Sequence, residues 1–295
     1  MEVEPMRLEK LLSSATLLAL VCSCFTAIGT AAEKDEHLLR YKLQAGEQVV
    51  SRVTHFADTH TVMSGVAEES SSRTTSEKVW EVEKVDDDGN MTFVYKIKFV
   101  SLAQSVGDGE ELKYNSKIDI DVPDIFAQVA KTVDKPLATI TINPRGQVTG
   151  RVEDKKLPQL GFGGLTIPLP EEAVAVGGSW SVPREMRTKL DDGTYKRIKV
   201  RELYTLEKVS AGLATIKLVS QPLTPISDPA VEAKVMQQLN QGTIKFDIDR
   251  GRLVRKELNW QEEVIGFRGA DTSIRYDAKF TEELVVPTTK TARRK

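Results

Sequence analysis

The sequence has few of the residues on which many active sites and metal sites are built. It contains two cysteines and three histidines in 295 residues. Both cysteines, Cys22 and Cys24, lie in an apolar N-terminal run. The remainder of the chain therefore has no disulfide framework, no thiol nucleophile and no cysteine-based zinc site. For an exported protein, this absence is more typical of a bacterial envelope than of a eukaryotic secretory route.

The histidines and carboxylates do not form a catalytic or metal motif. His55 and His60 are five positions apart on a predicted strand, so they should point to opposite faces and cannot share a metal without a bulge. No Gly-x-Ser-x-Gly elbow is present. The acidic turn at 86–90 lacks the ligand spacing of an EF-hand loop. We therefore expect a protein that is not an enzyme and that has no cofactor and no metal ligands.

No excess of positive charge is present either. The formal net charge is −2, with 28% charged and 40% hydrophobic residues, as in an ordinary soluble domain. Proteins that bind nucleic acids concentrate positive charge on one face. The sequence therefore predicts no nucleic-acid partner.

The N-terminus has the pattern of an export signal. An apolar run over 11–28 is followed by small residues up to Ala32 and then by four charged residues. We expect residues 1–32 to be a signal peptide cleaved after Ala32. Two alternatives remain, namely lipidation of Cys24 in a lipobox-like Val-Cys-Ser-Cys sequence and an uncleaved membrane anchor. In each case the protein is expected to be exported, to the periplasm or cell surface of a bacterium, and to meet the membrane only through this segment.

The clearest structural pattern is a β-hairpin over 80–99. Two alternating strands flank an Asp-Asp-Asp-Gly-Asn turn, whose last two residues tolerate the positive φ of a hairpin tip. The second strand is expected to place four apolar side chains on one face, namely Phe93, Tyr95, Ile97 and Phe99. A similar pattern returns at 204–218, with an aromatic residue, Glu-Lys-Val, a glycine turn and a threonine-rich strand.

The hairpins belong to a longer repeated order of strands, a short helix and a second hairpin. Helical spacing is found over 123–133 and again after Asp228-Pro229, and glycine turns follow at Gly146 and Gly251. The sequence predicts a mainly β fold of two related halves, each a curved antiparallel sheet with one short helix. The alternative is a chance likeness between hairpins of one β protein.

The expected domain boundaries follow from this order. They are a first half at 33–150, a Gly/Pro-rich connector at 151–178, a second half at 179–286 and a disordered tail at 287–295. Within the first half, the pattern predicts a short opening strand over 38–44 and a turn-like polar segment over 65–72.

Short helices cannot cover long strands, so some apolar sheet surface should remain free to bind a ligand or partner. The expected lining is Phe93, Tyr95, Ile97, Phe99, Tyr276 and Phe280. The alternative is that these residues are plain core. The first functional hypothesis is a non-catalytic envelope protein acting as a structural or protein-interaction module with an unknown envelope partner. The second is a carrier or binder of a lipid or other apolar ligand, and the third is an unrecognised enzyme.

Several short motifs together resemble a known family. They are Tyr-x-Leu-x-x-Gly-Glu at 41–47, Val-Asp-Asp-Asp-Gly-Asn at 85–90, Pro-x-Gly-x-Val at 144–148 and Val-Gly-Gly-Ser-Trp at 176–180. In this respect the chain resembles a domain-of-unknown-function family of exported bacterial proteins, over nearly the whole mature sequence. That family implies no catalytic residues. The order of strands and helices is more weakly similar to the periplasmic lipoprotein-carrier fold.

Overall fold

Long antiparallel strands make up most of the protein in a computed structural model, which describes residues 35–153, 157, 166–190 and 192–285. The strands of the first half are β1 (Glu36–His37), β2 (Gln48–Met63), β3 (Val66–Val85), β4 (Met91–Val106), β5 (Leu112–Asn115), β6 (Pro136–Ile142) and β7 (Val148–Glu153). Those that follow are β8 (Val174–Ala175), β9 (Ser179–Lys189), β10 (Tyr195–Ser210), β11 (Leu213–Pro222), β12 (Gln241–Asp247), β13 (Arg252–Ile265) and β14 (Thr272–Leu284). The predicted mainly β fold class is confirmed.

Twelve of these strands form one continuous antiparallel sheet. Its order is β7-β6-β4-β3-β2-β14-β13-β12-β11-β10-β9, with β5 paired to the outer part of β4, while β1 and β8 pair separately. Each half is a meander, and the first strand of one half pairs with the last strand of the other from Ser51↔Leu284 to Met63↔Thr272. We call this β2–β14 pairing the seam.

The two halves share the order of their elements. In both, a long hairpin is followed by a short helix and then by a second hairpin, and the strands occur in the same order across the sheet. The predicted hairpin around Gly89 and its counterpart around Gly212 therefore lie in equivalent positions. The halves join at the seam into a single sheet, and residues 34–295 form one compact unit.

The N-terminal segment at 38–46 holds the sheet in a curled shape. The Tyr41 amide donates to Pro144 O at 2.7 Å in the β6–β7 turn, and the next amide, of Lys42, donates to Gly251 O at 2.9 Å in the β12–β13 turn. In a flat sheet β6 and β13 would lie five strands apart, about 24 Å. Because adjacent residues bond to both turns, the sheet must curl around this segment, which we call the strap.

The strap corrects one prediction from the sequence. An opening strand was expected over 38–44, but the strand in this region is β1 at Glu36–His37 and the strap itself is extended without strand pairing. Its apolar residues Leu39, Tyr41 and Leu43 are buried. The alternation that suggests a strand arises because the strap presents one face to the core.

The inward face of the curled sheet carries the main core. It includes Trp80 and Phe93 in the first half and Ile216 and Phe246 in the second, all in one hydrophobic cluster with the strap. Tyr41 packs edge-on against Phe246 with ring centroids 5.3 Å apart. Contact with the strap from both halves makes this a shared core rather than two separate ones.

Strand β3 begins earlier than the sequence suggests. The polar segment at 65–72 was expected to be a turn, but only Ser64 and Gly65 form the turn and β3 starts at Val66. This end of β3 is exposed or half-buried on both faces. A strand that is exposed to solvent on both faces has no alternation of apolar and polar residues, so hydrophobic periodicity could not predict this part of β3.

The helices are short. A single 3-10 turn (Asp124–Phe126) leads into α1 (Ala127–Ala130), and α2 (Pro229–Val235) is followed by a 3-10 turn at Met236–Gln238. Phe126, Val231 and Val235 are their buried anchors. Helix α2 begins as predicted, with Asp228 Oδ1 accepting from the Ala230 amide at 2.9 Å.

Replacing Asp228 with alanine is expected to lower the free energy of unfolding by about 1 kcal/mol, because α2 loses its capping acceptor. Asp228→Asn keeps an acceptor at the same position and should leave the stability within a few tenths of a kcal/mol. Chemical denaturation of both variants measures the difference. Equal losses in the two would show that the cap does not stabilise α2.

The expected signal peptide with Ala32 and Cys24, the glycine-rich centre of the connector and the whole C-terminal tail at 287–295 lie outside the described residues. Among the residues that the structure describes, no helix is long and apolar enough to span a bilayer. The end of the connector at 166–170 packs into the core, where Ile167 and Leu169 are each 1% exposed.

Candidate functional site

The inward face is least completely covered over the seam. On β4 and β10 inward side chains such as Tyr95 and Leu206 are buried, whereas on β2, at the seam, Val53, His55 and Ala57 are only half-buried. Helix α2 packs with β9 and β10 through Met186, Ile198 and Val200, and it also contacts β13. The result is a partly open region of the inward face, which we call the seam hollow.

Aromatic side chains form one wall of the seam hollow. His55 on β2 lies 6.2 Å from the Trp260 ring and 6.4 Å from the Phe280 ring, measured between centroids. Tyr276 packs against the other side of Trp260 at 6.5 Å. Burial lowers the pKa of His55 below its ordinary value, so the imidazole is neutral at pH 7 and the wall is effectively apolar.

One donor in this wall has no partner. The Trp260 indole Nε1 is buried and makes no hydrogen bond to any of the described residues. A buried N–H without an acceptor is costly, and tryptophan at such positions usually finds one. The indole N–H is therefore a buried donor without an acceptor among the described residues.

Charged side chains lie beside the aromatic wall, on β3, β13 and β14. Lys78 Nζ forms a 2.5 Å ion pair with Glu282 Oε1, and both side chains are more than 90% buried. Lys256 is the direct cross-strand neighbour of Glu282 on the inward face. We call Lys78, Lys256 and Glu282 the seam charges.

Lys256 is the exceptional member of the seam charges. Among the described residues its ammonium makes no ion pair within 4.0 Å, and the centroid of the Phe280 ring lies 5.7 Å from its Nζ. Burial lowers the pKa of Lys256, and the positive charges of Lys78 and Arg184 lower it further, against the opposing effect of Glu282 and Glu202. By its solvent exposure the Lys256 residue is half-buried rather than fully buried.

A second buried carboxylate, Glu202 on β10, is fully engaged. It accepts from Asn240 Nδ2 at 3.1 Å, from Ser220 Oγ at 3.3 Å and from the Tyr204 hydroxyl at 3.2 Å. Arg184 Nε lies 3.1 Å from the same carboxylate. This network satisfies Glu202 without Lys256.

The six residues that were predicted to line a binding surface fall into different environments in the structure. Phe93, Tyr95, Ile97 and Tyr276 are buried in the hydrophobic cluster, as the plain-core alternative expects. Phe280 is half-buried beside the seam charges and is the one that borders the hollow. The role of these residues in binding stays a prediction.

The common face expected for Phe99 is wrong. A β-bulge shifts the register, so that Ile97 pairs with Lys78 but Phe99 pairs with the next residue back, Glu77. Phe99 thereby turns to the outward face, where Lys117 Nζ lies 4.4 Å from its ring centroid. Val100 takes the inward position and is buried.

Sequence reasoning missed the residues that make the hollow distinctive, namely Lys78, Lys256, Glu282 and Trp260. Charged residues on an alternating strand are normally assigned to the solvent-exposed face. The alternation of side chains along one strand also does not reveal an ion pair with a neighbouring strand. One signal was available in the sequence. Lys256, Leu258 and Trp260 are spaced two residues apart and so point to one face of their strand, and the same holds for Phe280 and Glu282.

The outward face of the long strands carries a polar depression. Its lining includes Asp58, Ser71 and Ser105, with His60 Nδ1 3.4 Å from Glu69 Oε1. In the same depression Arg275 Nε lies 2.8 Å from Asp277 Oδ2. Within the described part of the chain, no three His, Cys, Asp or Glu side chains are placed to hold a metal ion.

Comparison with known proteins gives no family. No family model matches the chain, and no curated protein does. Among solved structures, lipovitellin, described by its lipid–protein interactions, aligns at 9% identity and a TM-score of 0.41 over 83% of this chain and 26% of its own. The Salmonella SPI-1 type III secretion secretin InvG aligns at 10% and 0.17 over 83% of this chain and 62% of its own.

A DUF1329 family protein from Desulfovibrio piger aligns at 11% identity and a TM-score of 0.14, over 80% of this chain and 83% of its own. The chain thus spans about a quarter of lipovitellin. With TM-scores below 0.5, these likenesses establish neither a common fold nor a function. This protein is a curled twelve-stranded antiparallel sheet with a candidate site at its seam.

Proposed function

We propose that this protein is a non-catalytic binder of an apolar-chain ligand, which it holds in the seam hollow, and that it works as an exported envelope protein. The proposal rests on one observation. Over the seam, an aromatic wall and two donors without a hydrogen-bond or ion-pair partner among the described residues, Trp260 Nε1 and Lys256 Nζ, lie beside the half-buried inward side chains of β2. An apolar body with a few oxygen acceptors complements such a surface.

A protein-interaction module remains the second candidate. The observation in its favour is the segment between β5 and α1, where Ile118 and Ile120 are 75% and 96% exposed. Surface isoleucines this exposed are more common where another molecule covers them. Serine at both positions would remove that surface without touching the seam hollow, so the two candidates can be tested separately.

Filling the hollow tests the first proposal. Ala57 lies half-buried on the inward side of the seam, between Ala278 and Ser72. We expect Ala57→Trp to abolish the fluorescence that the uncharged dye Nile red shows with the native protein, because the indole occupies the space of the ligand. The proposal predicts no loss of stability, because a hollow at this position has room for the indole.

The neighbouring Asp58→Trp is the matched control, because Asp58 is exposed on the outward face of the same strand. It should leave dye binding unchanged. If the hollow were packed core, the native protein would leave the dye dark and Ala57→Trp would lower the free energy of unfolding by about 1–3 kcal/mol through overpacking. That pair of results would overturn the proposed function.

A further inference from the structure

We propose that the ligand in the seam hollow carries a single negative charge on its head group, a carboxylate, and that the ammonium of Lys256 binds it. This inference rests on the proposed function and specifies the chemical class of the ligand. It places an anionic head at the seam charges and the apolar chain along the aromatic wall.

Each carboxylate near Lys256 is already paired with another cation. Glu282 is paired to Lys78 at 2.5 Å, and Glu202 to Arg184 at 3.1 Å. These four groups are the charges that act on Lys256. Two anions therefore face three cations, which leaves one positive charge in a half-buried place without an anion.

An ammonium without an anion at this position is costly in free energy. A desolvated ammonium is unfavourable unless it is paired, and this environment disfavours the charged form of Lys256. A singly charged anion from the ligand would balance the group. A doubly charged head group would instead leave one negative charge in the site without a cation.

The residues beside Lys256 set the direction in which the alkyl chain of a ligand can run. From Lys256 the inward positions of β13 continue with Leu258, Trp260, Glu262 and Val264, while Phe280 and Tyr276 stand beside them on β14. From Lys256 to Trp260 the strand rises about 13 Å at roughly 3.3 Å per residue. The apolar track thus begins at the ammonium and leads away from it.

The experiment measures displacement of Nile red by three ligands with the same twelve-carbon chain, namely dodecanoate, dodecan-1-ol and dodecyl phosphate. With the native protein, we expect dodecanoate to displace the dye at a concentration at least tenfold below that of the alcohol. In Lys256→Met, dodecanoate should weaken to the level of the alcohol, while the affinity for the alcohol itself stays the same. The unchanged alcohol affinity also shows that the variant is folded.

Lys245→Met is the matched control, because Lys245 is exposed on the outward face of the neighbouring strand β12. It should bind all three ligands like the native protein. Equal affinities of the native protein for dodecanoate and dodecanol, or no loss in Lys256→Met, would overturn the anionic head while leaving the proposed function intact. Dodecyl phosphate binding more tightly than dodecanoate would overturn the single charge, and failure of the dye and all ligands would overturn the proposed function itself.

Discussion

Replacing Glu282 with leucine is expected to lower the free energy of unfolding by about 3–5 kcal/mol. The Glu282 side chain is 4% exposed and its partner Lys78 is 9% exposed, so the change leaves a buried ammonium without a counter-charge. Lys256, the cross-strand neighbour of Glu282, loses its nearest carboxylate on β14 at the same time. Urea denaturation of the variant measures the loss.

Two further variants separate the ion pair from the strand. Glu283→Leu removes the adjacent carboxylate, which is 47% exposed on the outward face beside Arg255, and should cost less than about 1 kcal/mol. The double variant Lys78→Met with Glu282→Leu removes both charges of the buried pair and should recover most of the single loss. A double variant as unstable as Glu282→Leu would show that the charge of Lys78 is not what the carboxylate compensates.

The second large effect is expected for Gly251→Ala, which should lower the free energy of unfolding by about 2–4 kcal/mol. Gly251 has a φ of +61° and accepts a hydrogen bond from the strap. A Cβ here would lie 2.4 Å from Lys42 N and 2.6 Å from Arg40 O, both backbone atoms that cannot rotate away. The strap would have to leave the turn, and the burial of Tyr41 would weaken with it.

Gly177→Ala is the control for backbone strain alone. Gly177 has a φ of +88°, but no atom lies within 4 Å of a Cβ built on it. Its cost should stay near the 1–2 kcal/mol of a left-handed alanine. Thermal unfolding of the two variants compares them directly, and equal shifts would mean that the strap adds nothing to the stability of the curled sheet.

The hairpins, the helix starts and the repeated order of elements could be predicted because each depends on neighbours in the sequence. The turn at Gly89 and the cap at Asp228 are examples. The joining of both meanders at the seam could not be predicted, since pairing between Ser51 and Leu284 leaves no local pattern. The strap was misassigned as a strand for the same reason, because its partners are turns more than 100 positions away.

The candidate site was less predictable than the fold. Alternation placed Phe99 on the wrong face, because a single bulge at Lys98, opposite Glu77 and Lys78, reverses every assignment beyond it. Lys256 and Glu282 look like ordinary surface charges in the sequence, and only their register across the sheet brings them together on the inward face. A site made of cross-strand neighbours depends on the register of several strands at once.

The seam also fixes the order in which the protein can acquire its site. Each meander closes through short turns between consecutive strands, whereas β2 and β14 meet only after nearly the whole chain has been drawn together. Closing so long a loop is entropically costly, and contacts of this kind form late and slowly. Since His55 lies on β2 and Phe280 and Glu282 on β14, a chain that has folded most of its strands but has not yet joined the seam lacks the proposed site.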